Sequence, residues 1–189
     1  LEDDYLSDLQ LGGRSAPALA SLDTAGRVLH AGSFSKTISP ALRLGFLAVP
    51  PALAHRFGVF ARFLAPASSI STHRAVAEFM ARGHCLCHLR RMKRLYAGRQ
   101  NALLTLLREL GERTFTQISV GSLATLSEFK SRLPDTELAA LARTVGLGPA
   151  PLSPRYAAPE SRQGLILGVM NLDENLAPDQ CRRLIEIIG

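Results

Sequence analysis

The chain has 189 residues, a formal charge of +6 and 47 % hydrophobic residues. That length can bury one good core, and no window reaches the ~18–20 uninterrupted apolar residues of a membrane-spanning helix. Three cysteines, an odd number, argue against a disulfide framework and predict a reducing, cytoplasmic setting.

Leu1 to Asp4 reads as a strand that ends at an acidic edge. Leu6 to Gly26 reads as loop, punctuated by Gly12-Gly13 and Pro17. Val28 to Gly32 is a second short strand, the run after it a turn, and Leu44 to Val49 a third strand stopped by Pro50-Pro51. Proline is tolerated at a helix start, so Ala52 to Leu64 is a predicted helix. Pro66 to Ser71 is a linker, and Thr72 to Arg82 a short helix broken at Gly83.

From His84 to Leu110 the spacing of Leu86, Leu89, Leu95 or Tyr96, Leu103, Leu106, Leu107 and Leu110 follows a helical period. Beyond Gly111 the order is strand, helix (Asp135 to Val145), strand, proline-rich loop, strand (Leu165 to Met170) and helix (Pro178 to Ile188). Asp135 and Asp179 each follow a proline at a helix start, where a carboxylate suits the dipole. The alternation predicts an α/β part followed by an α+β part. We divide the chain into a large-domain portion (1–83), a connecting helix (84–110) and a small domain (111–189).

The segment from Arg82 to Arg99 holds Arg82, Arg90, Arg91, Lys93, Arg94 and Arg99 and no acid, which accounts for the charge excess. It reads as the solvated face of a long helix, with DNA binding as the competing reading. His84-Cys85-Leu86-Cys87-His88 has the residue types of a metal site, but zinc sites space their cysteines by two to four and draw on two elements. Ordinary helix packing is the expectation there, and we assign no metal.

The residues richest in chemistry are Ser33-Phe34-Ser35-Lys36-Thr37-Ile38-Ser39-Pro40-Ala41-Leu42-Arg43-Leu44-Gly45-Phe46. One lysine stands among hydroxyls, with an arginine seven positions later. A lysine so placed suits an imine with an aldehyde. Hydroxyls, turn N–H groups and an arginine fork suit a phosphate. Pyridoxal 5′-phosphate carries both groups.

This motif resembles the cofactor-lysine motif of fold-type-I, pyridoxal-phosphate-dependent aminotransferases. Residues 1–50 are similar to one branch, the aminotransferase-like domain of MocR-type, GntR-family regulators. The carriers are Glu2-Asp3-Asp4-Tyr5, Gly13-Arg14, Pro17-Ala18-Leu19, Leu22-Asp23, Gly26-Arg27-Val28 and the lysine run through Leu42-Arg43-Leu44-Gly45. Similarity continues through Gly83-His84, His88-Leu89-Arg90-Arg91-Met92, Tyr96, Ala150-Pro151-Leu152-Ser153 and Tyr156, and fades from Thr114 to Arg132. There a Gly-Leu-His strand is expected and Gly121-Ser122-Leu123-Ala124 stands instead, so no functional residue is assigned to that segment.

The resemblance implies the C-terminal part of an aspartate-aminotransferase-like fold, from a longer protein that forms a homodimer. It implies Lys36 as the cofactor's attachment point, Asp3 beside the pyridine nitrogen and Tyr5 beside the ring 3′-oxygen. It also implies Ser33, Ser35 and Arg43 as phosphate ligands. Asp4 competes with Asp3 but would point to the opposite strand face. Three functions follow: an effector domain of a regulator whose DNA-binding winged helix lies elsewhere and which senses a small amine or amino acid; a free-standing aminotransferase; or an inactive truncated remnant. The family's enzymes carry a carboxylate-gripping arginine in the last strand. Here Ile166 holds that place, with Arg155 and Arg162 as the nearest substitutes in sequence.

Overall fold

The computed structural model describes residues 1–12, 16–64, 69–144, 146–157 and 162–189. It divides into two compact units, Leu1–Lys93 and Arg94–Gly189.

In the first unit, β1 (Glu2–Asp4), β2 (His30–Ser33) and β3 (Gly45–Ala48) form a sheet in that order. β1 runs parallel to β2, with Asp3 opposite Ala31. β3 runs antiparallel to β2, with Ser33 opposite Gly45. The β1–β2 connection was expected as loop. Among its described residues it contains a 3-10 turn (Ser7–Leu9) and a short α-helix, α1 (Leu19–Leu22), whose first amides are held from across the unit. Glu2 accepts from Leu19 N at 2.7 Å and Ala20 N at 3.2 Å. Asp23 then closes the turn into β2, accepting from Ala25, Arg27 and Val28 amides while Gly26 takes φ 65°. Gly13 and Arg14 lie outside the described residues.

The lysine run was expected as a turn and is instead one helical turn, α2 (Phe34–Thr37). Four residues are too few to show a helical period. What starts the turn is Ser33, whose Oγ accepts from Ser35 N at 3.1 Å. Gly32 beside it gives room to an aromatic ring. A Cβ there would stand 2.3 Å from the Phe46 ring, which sits between His30 and Phe34 with centroids 5.8 and 5.6 Å away. The helices α3 (Pro51–Leu64) and α4 (Ile70–Ala81) follow. Half of the expected linker, residues 66–68, lies outside the described residues, and α4 begins inside its last two positions. The long helix α5 (His84–Gly111) opens with His84 and His88 against Phe79, at centroid distances of 6.0 and 6.3 Å. Cys85 is buried there and Cys87 exposed, and burial, with Asp8 adding, pushes the Cys85 thiol up.

The second unit holds a four-stranded antiparallel sheet in the order β4-β5-β7-β6: β4 (Phe115–Val120), β5 (Ala124–Phe129), β7 (Gly164–Gly168) and β6 (Ala150–Pro151). One strand was expected between residues 114 and 132; the segment is a hairpin of two, β4 and β5. Two helices cover one sheet face, α6 (Asp135–Thr144) and α7 (Ala177–Ile188). Val145, the expected end of α6, lies outside the described residues. Leu138, Ala139 and Ala142 of α6, with Leu184 and Ile188 of α7, pack on Phe129 and Leu165 of the sheet. Their three- and four-residue spacing is the apolar stripe that a helix needs to cover a sheet. Each fully buried leucine contributes ~1.5–3 kcal/mol.

Asp135 ties this unit together. Fully buried at the start of α6, it accepts from Leu152 N at 3.1 Å, Ser153 N at 2.7 Å, Ser153 Oγ at 2.5 Å and Gly164 N at 3.2 Å. One carboxylate thereby fixes α6, the loop after β6 and the start of β7. Sequence placed Asp135 at a helix start but carried no sign of these distant donors.

Candidate functional site

The parallel pairing of β1 and β2 puts their C-terminal ends at one edge of the first sheet, and antiparallel β3 starts at that edge. Tyr5 leaves from the end of β1, α2 with Ser35 and Lys36 from the end of β2, and Arg43 enters β3. Short segments at the carboxyl ends of strands are where open α/β sheets take their ligands.

Register sorts the acidic run of β1 by face. Glu2 pairs with His30 and Asp4 with Gly32, so these share one face; Asp3 pairs with Ala31 and shares the other. The two faces differ in what their carboxylates do. Glu2, besides holding α1, lies 2.9 Å from His30 Nδ1. The Leu19 amide first, then His30, hold its carboxyl below the ordinary value. Asp4 accepts from Ser7 N at 3.0 Å and Ser7 Oγ at 2.5 Å. The Ser7 hydroxyl is the main reason its carboxyl is also lowered. Both are spent on the fold. The Asp3 side chain is exposed and has no hydrogen-bond partner among the described residues.

The other nominated side chains at this edge divide in the same way. Tyr5, Lys36 and Arg43 are exposed, and none has a side-chain partner among the described residues. Ser35 is half-buried with its hydroxyl also unengaged among them. Ser33 is engaged as the cap of α2, which uses its oxygen as acceptor and leaves its O–H to donate. Arg43 is the one non-glycine residue at positive φ among the described residues, at φ 48° and ψ 38°. A left-handed arginine costs ~1–2 kcal/mol; here it closes the 3-10 turn Pro40–Leu42, its N–H donating to Pro40 O at 3.2 Å.

The set offers an amine, a carboxylate, a phenol, hydroxyls and a guanidinium at one sheet edge. That donor set fits the aldehyde, the ring nitrogen, the ring oxygen and the phosphate of pyridoxal 5′-phosphate. Ile166 belongs to the second unit. It lies on the sheet face away from α6 and α7, opposite Leu126 and Ala150. Of the two arginines near it in sequence, Arg162 pairs through Nε with Glu128 at 3.1 Å, and Arg155 is exposed at the end of a 3-10 turn.

The fold is that of the pyridoxal-phosphate-dependent aminotransferases. The chain superposes on LysN, an α-aminoadipate aminotransferase of Thermus thermophilus solved with N-(5′-phosphopyridoxyl)-L-leucine. The TM-score is 0.82 at 23 % identity, over 99 % of this chain and 49 % of that one. Within that fold the chain belongs to the aminotransferase-like domain of MocR-type regulators. It is 36 % identical over 174 residues to the probable rhizopine catabolism regulatory protein MocR of Rhizobium meliloti, covering 92 % of this chain and 35 % of that protein. It is 30 % identical over 175 residues to YhdI, an uncharacterized HTH-type transcriptional regulator of Bacillus subtilis, covering 92 % of this chain and 37 % of that protein. The chain thus spans little more than a third of these curated relatives. No protein-family model matches it.

Proposed function

We propose that the chain is the cofactor-bearing effector portion of a dimeric, cytoplasmic MocR-type transcriptional regulator that holds pyridoxal 5′-phosphate. The observation that carries this reading is the division of β1: the carboxylates on one face are tied into the fold, while Asp3 stands unpaired at the edge that also presents Lys36 and Arg43. Lys36 binds the cofactor covalently, Asp3 holds the proton on its ring nitrogen, and Tyr5 orients the ring oxygen. Ser33, Ser35 and Arg43 hold the phosphate. When bound, the cofactor supplies an electrophilic carbon that captures primary amines. A captured amine would bias the arrangement of a dimer whose winged helix, in the part of such proteins outside this span, reads DNA. No helix among the described residues is long and apolar enough to cross a membrane.

Arg43 tests the phosphate role without confusing it with folding. A charge-assisted bond contributes ~1.5–3 kcal/mol, so Arg43→Gly should weaken pyridoxal-phosphate affinity by roughly tenfold to a hundredfold. Glycine adopts the left-handed conformation freely, so the melting temperature should hold or rise. Titration of the cofactor alongside thermal unfolding checks both. Unchanged affinity removes Arg43 from the phosphate site.

Ile166 bears on turnover. A buried α-carboxylate without a cationic partner is costly, and isoleucine offers none. Primary amines lacking an α-carboxylate should therefore react with the loaded protein more readily than common α-amino acids, and 2-oxo-acid production should be slow. Ile166→Arg should reverse that preference. Rapid multiple-turnover transamination of common α-amino acids by the unaltered protein would instead favour the aminotransferase reading.

A further inference from the structure

The second unit holds a cavity of about 450 Å³ that the cofactor reading does not use. Every residue lining it belongs to that unit. Its floor is made of core side chains: Leu103 of α5 and Cys181 and Leu184 of α7 are each no more than 4 % exposed. Leu147, just beyond α6, and Leu167 of β7 form walls, and both pack against the core cluster that contains Leu184. The cavity reaches the surface past exposed Gly148 and Asn171. A Cβ on Gly148 would meet nothing within 4 Å, so that rim is unobstructed. Protein interiors pack closely and leave few gaps larger than one water. A gap of this size, floored by core leucines, falls in the ~300–1,000 Å³ range of small-molecule sites.

The lining selects a class of ligand. Among the described residues no Asp, Glu, Lys, Arg or His lines the cavity. Burial pushes the Cys181 thiol up to about 11, so it too is uncharged at neutral pH. An ion placed here would give up hydration and meet no countercharge. The polarity comes from two carboxamides. Gln180, half-buried, and Asn171, at the rim, have no side-chain hydrogen-bond partner among the described residues. A carboxamide both donates and accepts, and a hydroxyl returns both. A few polar groups on an apolar lining orient a ligand and set its specificity.

We propose that this cavity binds a small neutral molecule with an apolar body and one hydroxyl end, the body against the leucines and the hydroxyl on Gln180 and Asn171. The inference goes beyond the effector reading and does not depend on it, because no residue assigned to the cofactor lines the cavity.

The probe is 2-naphthol, with 2-naphthoate as its charged analogue. Calorimetric titration of the 189-residue chain should show 2-naphthol binding at least about tenfold more tightly than 2-naphthoate, the penalty for an unpaired charge in an apolar site. Gln180→Leu should weaken 2-naphthol by about threefold to tenfold, the effect of one neutral hydrogen bond. Cys181→Leu places extra carbon in the open space. It should abolish binding while the melting temperature holds or rises, because the added atoms gain contacts there. If that variant fails to fold, Gln180→Leu keeps the test. Cys181 also reports directly. In mildly alkaline solution 2-naphthol should slow its modification by methyl methanethiosulfonate and leave exposed Cys87 unaffected, as read by mass spectrometry. Absent binding, equal affinity for 2-naphthoate, affinity indifferent to both variants, or an unprotected Cys181 would overturn the proposal. So would modification of Cys181 that slows without probe, either as the concentration of the chain rises or in a longer product of the same reading frame, since that result gives the cavity to protein instead.

Discussion

Asp135→Ala is expected to cost the second unit about 3–5 kcal/mol, the order expected when several buried donors lose a shared acceptor at ~1–3 kcal/mol each. The carboxylate accepts four hydrogen bonds, from the Leu152, Ser153 and Gly164 amides and the Ser153 hydroxyl. Alanine leaves the Ser153 and Gly164 amides and the Ser153 hydroxyl without that acceptor, each such group carrying ~1–3 kcal/mol of lost solvation, while the Leu152 amide keeps its bond to Gly164 O at 3.0 Å. Water admitted into the gap recovers part of that, which is why the total falls below the sum. Asp135→Asn keeps one carbonyl oxygen and should fall between alanine and the parent. Denaturant unfolding reads the loss directly. Hydrogen exchange should show the Ser153 and Gly164 amides losing protection first, because the carboxylate is the acceptor that the substitution removes from them. An alanine variant within about 1 kcal/mol of the parent, no more than a single lost donor costs, would mean that Asp135 follows this geometry without enforcing it.

The same residue marks where sequence reading stopped. A proline followed by aspartate announces a helix start from local chemistry alone. That the aspartate also captures donors 17, 18 and 29 positions away is a property of the folded sheet. The candidate site was legible because it is local in the chain. Every nominated residue lies between positions 3 and 43, in three segments that leave one sheet edge, so the motif and the site nearly coincide. The MocR resemblance was legible for the same reason, its motifs being runs of neighbouring residues, and the mixed α/β fold class was legible in the alternation of helices and strands.

The hairpin of β4 and β5 was not. In β5, Thr125, Ser127 and Phe129 face the helices while Ala124, Leu126 and Glu128 face away. The hydroxyls of Thr125 and Ser127 are buried without hydrogen-bond partners among the described residues. Leu126 thus stands on the face that a period-two reading gives to polar residues, and hydroxyls stand where apolar side chains are expected. Burial in this strand runs against its pattern. The helical turn at Phe34–Thr37 escaped for a simpler reason: its start is set by one serine cap.

Lys36→Ala is expected to abolish covalent capture of pyridoxal 5′-phosphate. The unaltered chain, mixed with the cofactor and reduced with borohydride, should carry the label on Lys36. Exposure alone does not predict this. Lys130 is as exposed as Lys36, and Lys93 is half-buried on α5. An unselective aldehyde would therefore mark Lys130 at least as readily. What distinguishes Lys36 is company: Ser35 beside it, and Arg43 and Asp3 at the same sheet edge. Arg43 and the hydroxyls supply charge-assisted phosphate bonds of ~1.5–3 kcal/mol each, so the cofactor is held at Lys36 before any bond forms. Effective concentration, more than lysine reactivity, sets the selectivity. Asp3→Asn should keep the label on Lys36, because asparagine does not disturb the phosphate grip. It should alter the visible absorption of the bound cofactor, because a neutral amide no longer favours a proton on the ring nitrogen. Asp4→Asn should leave that spectrum alone and lower stability through the lost Ser7 contacts. Label shared evenly between Lys36 and Lys130 would remove the site. A spectrum that answers to Asp4 rather than Asp3 would keep the site and reverse the facing of β1.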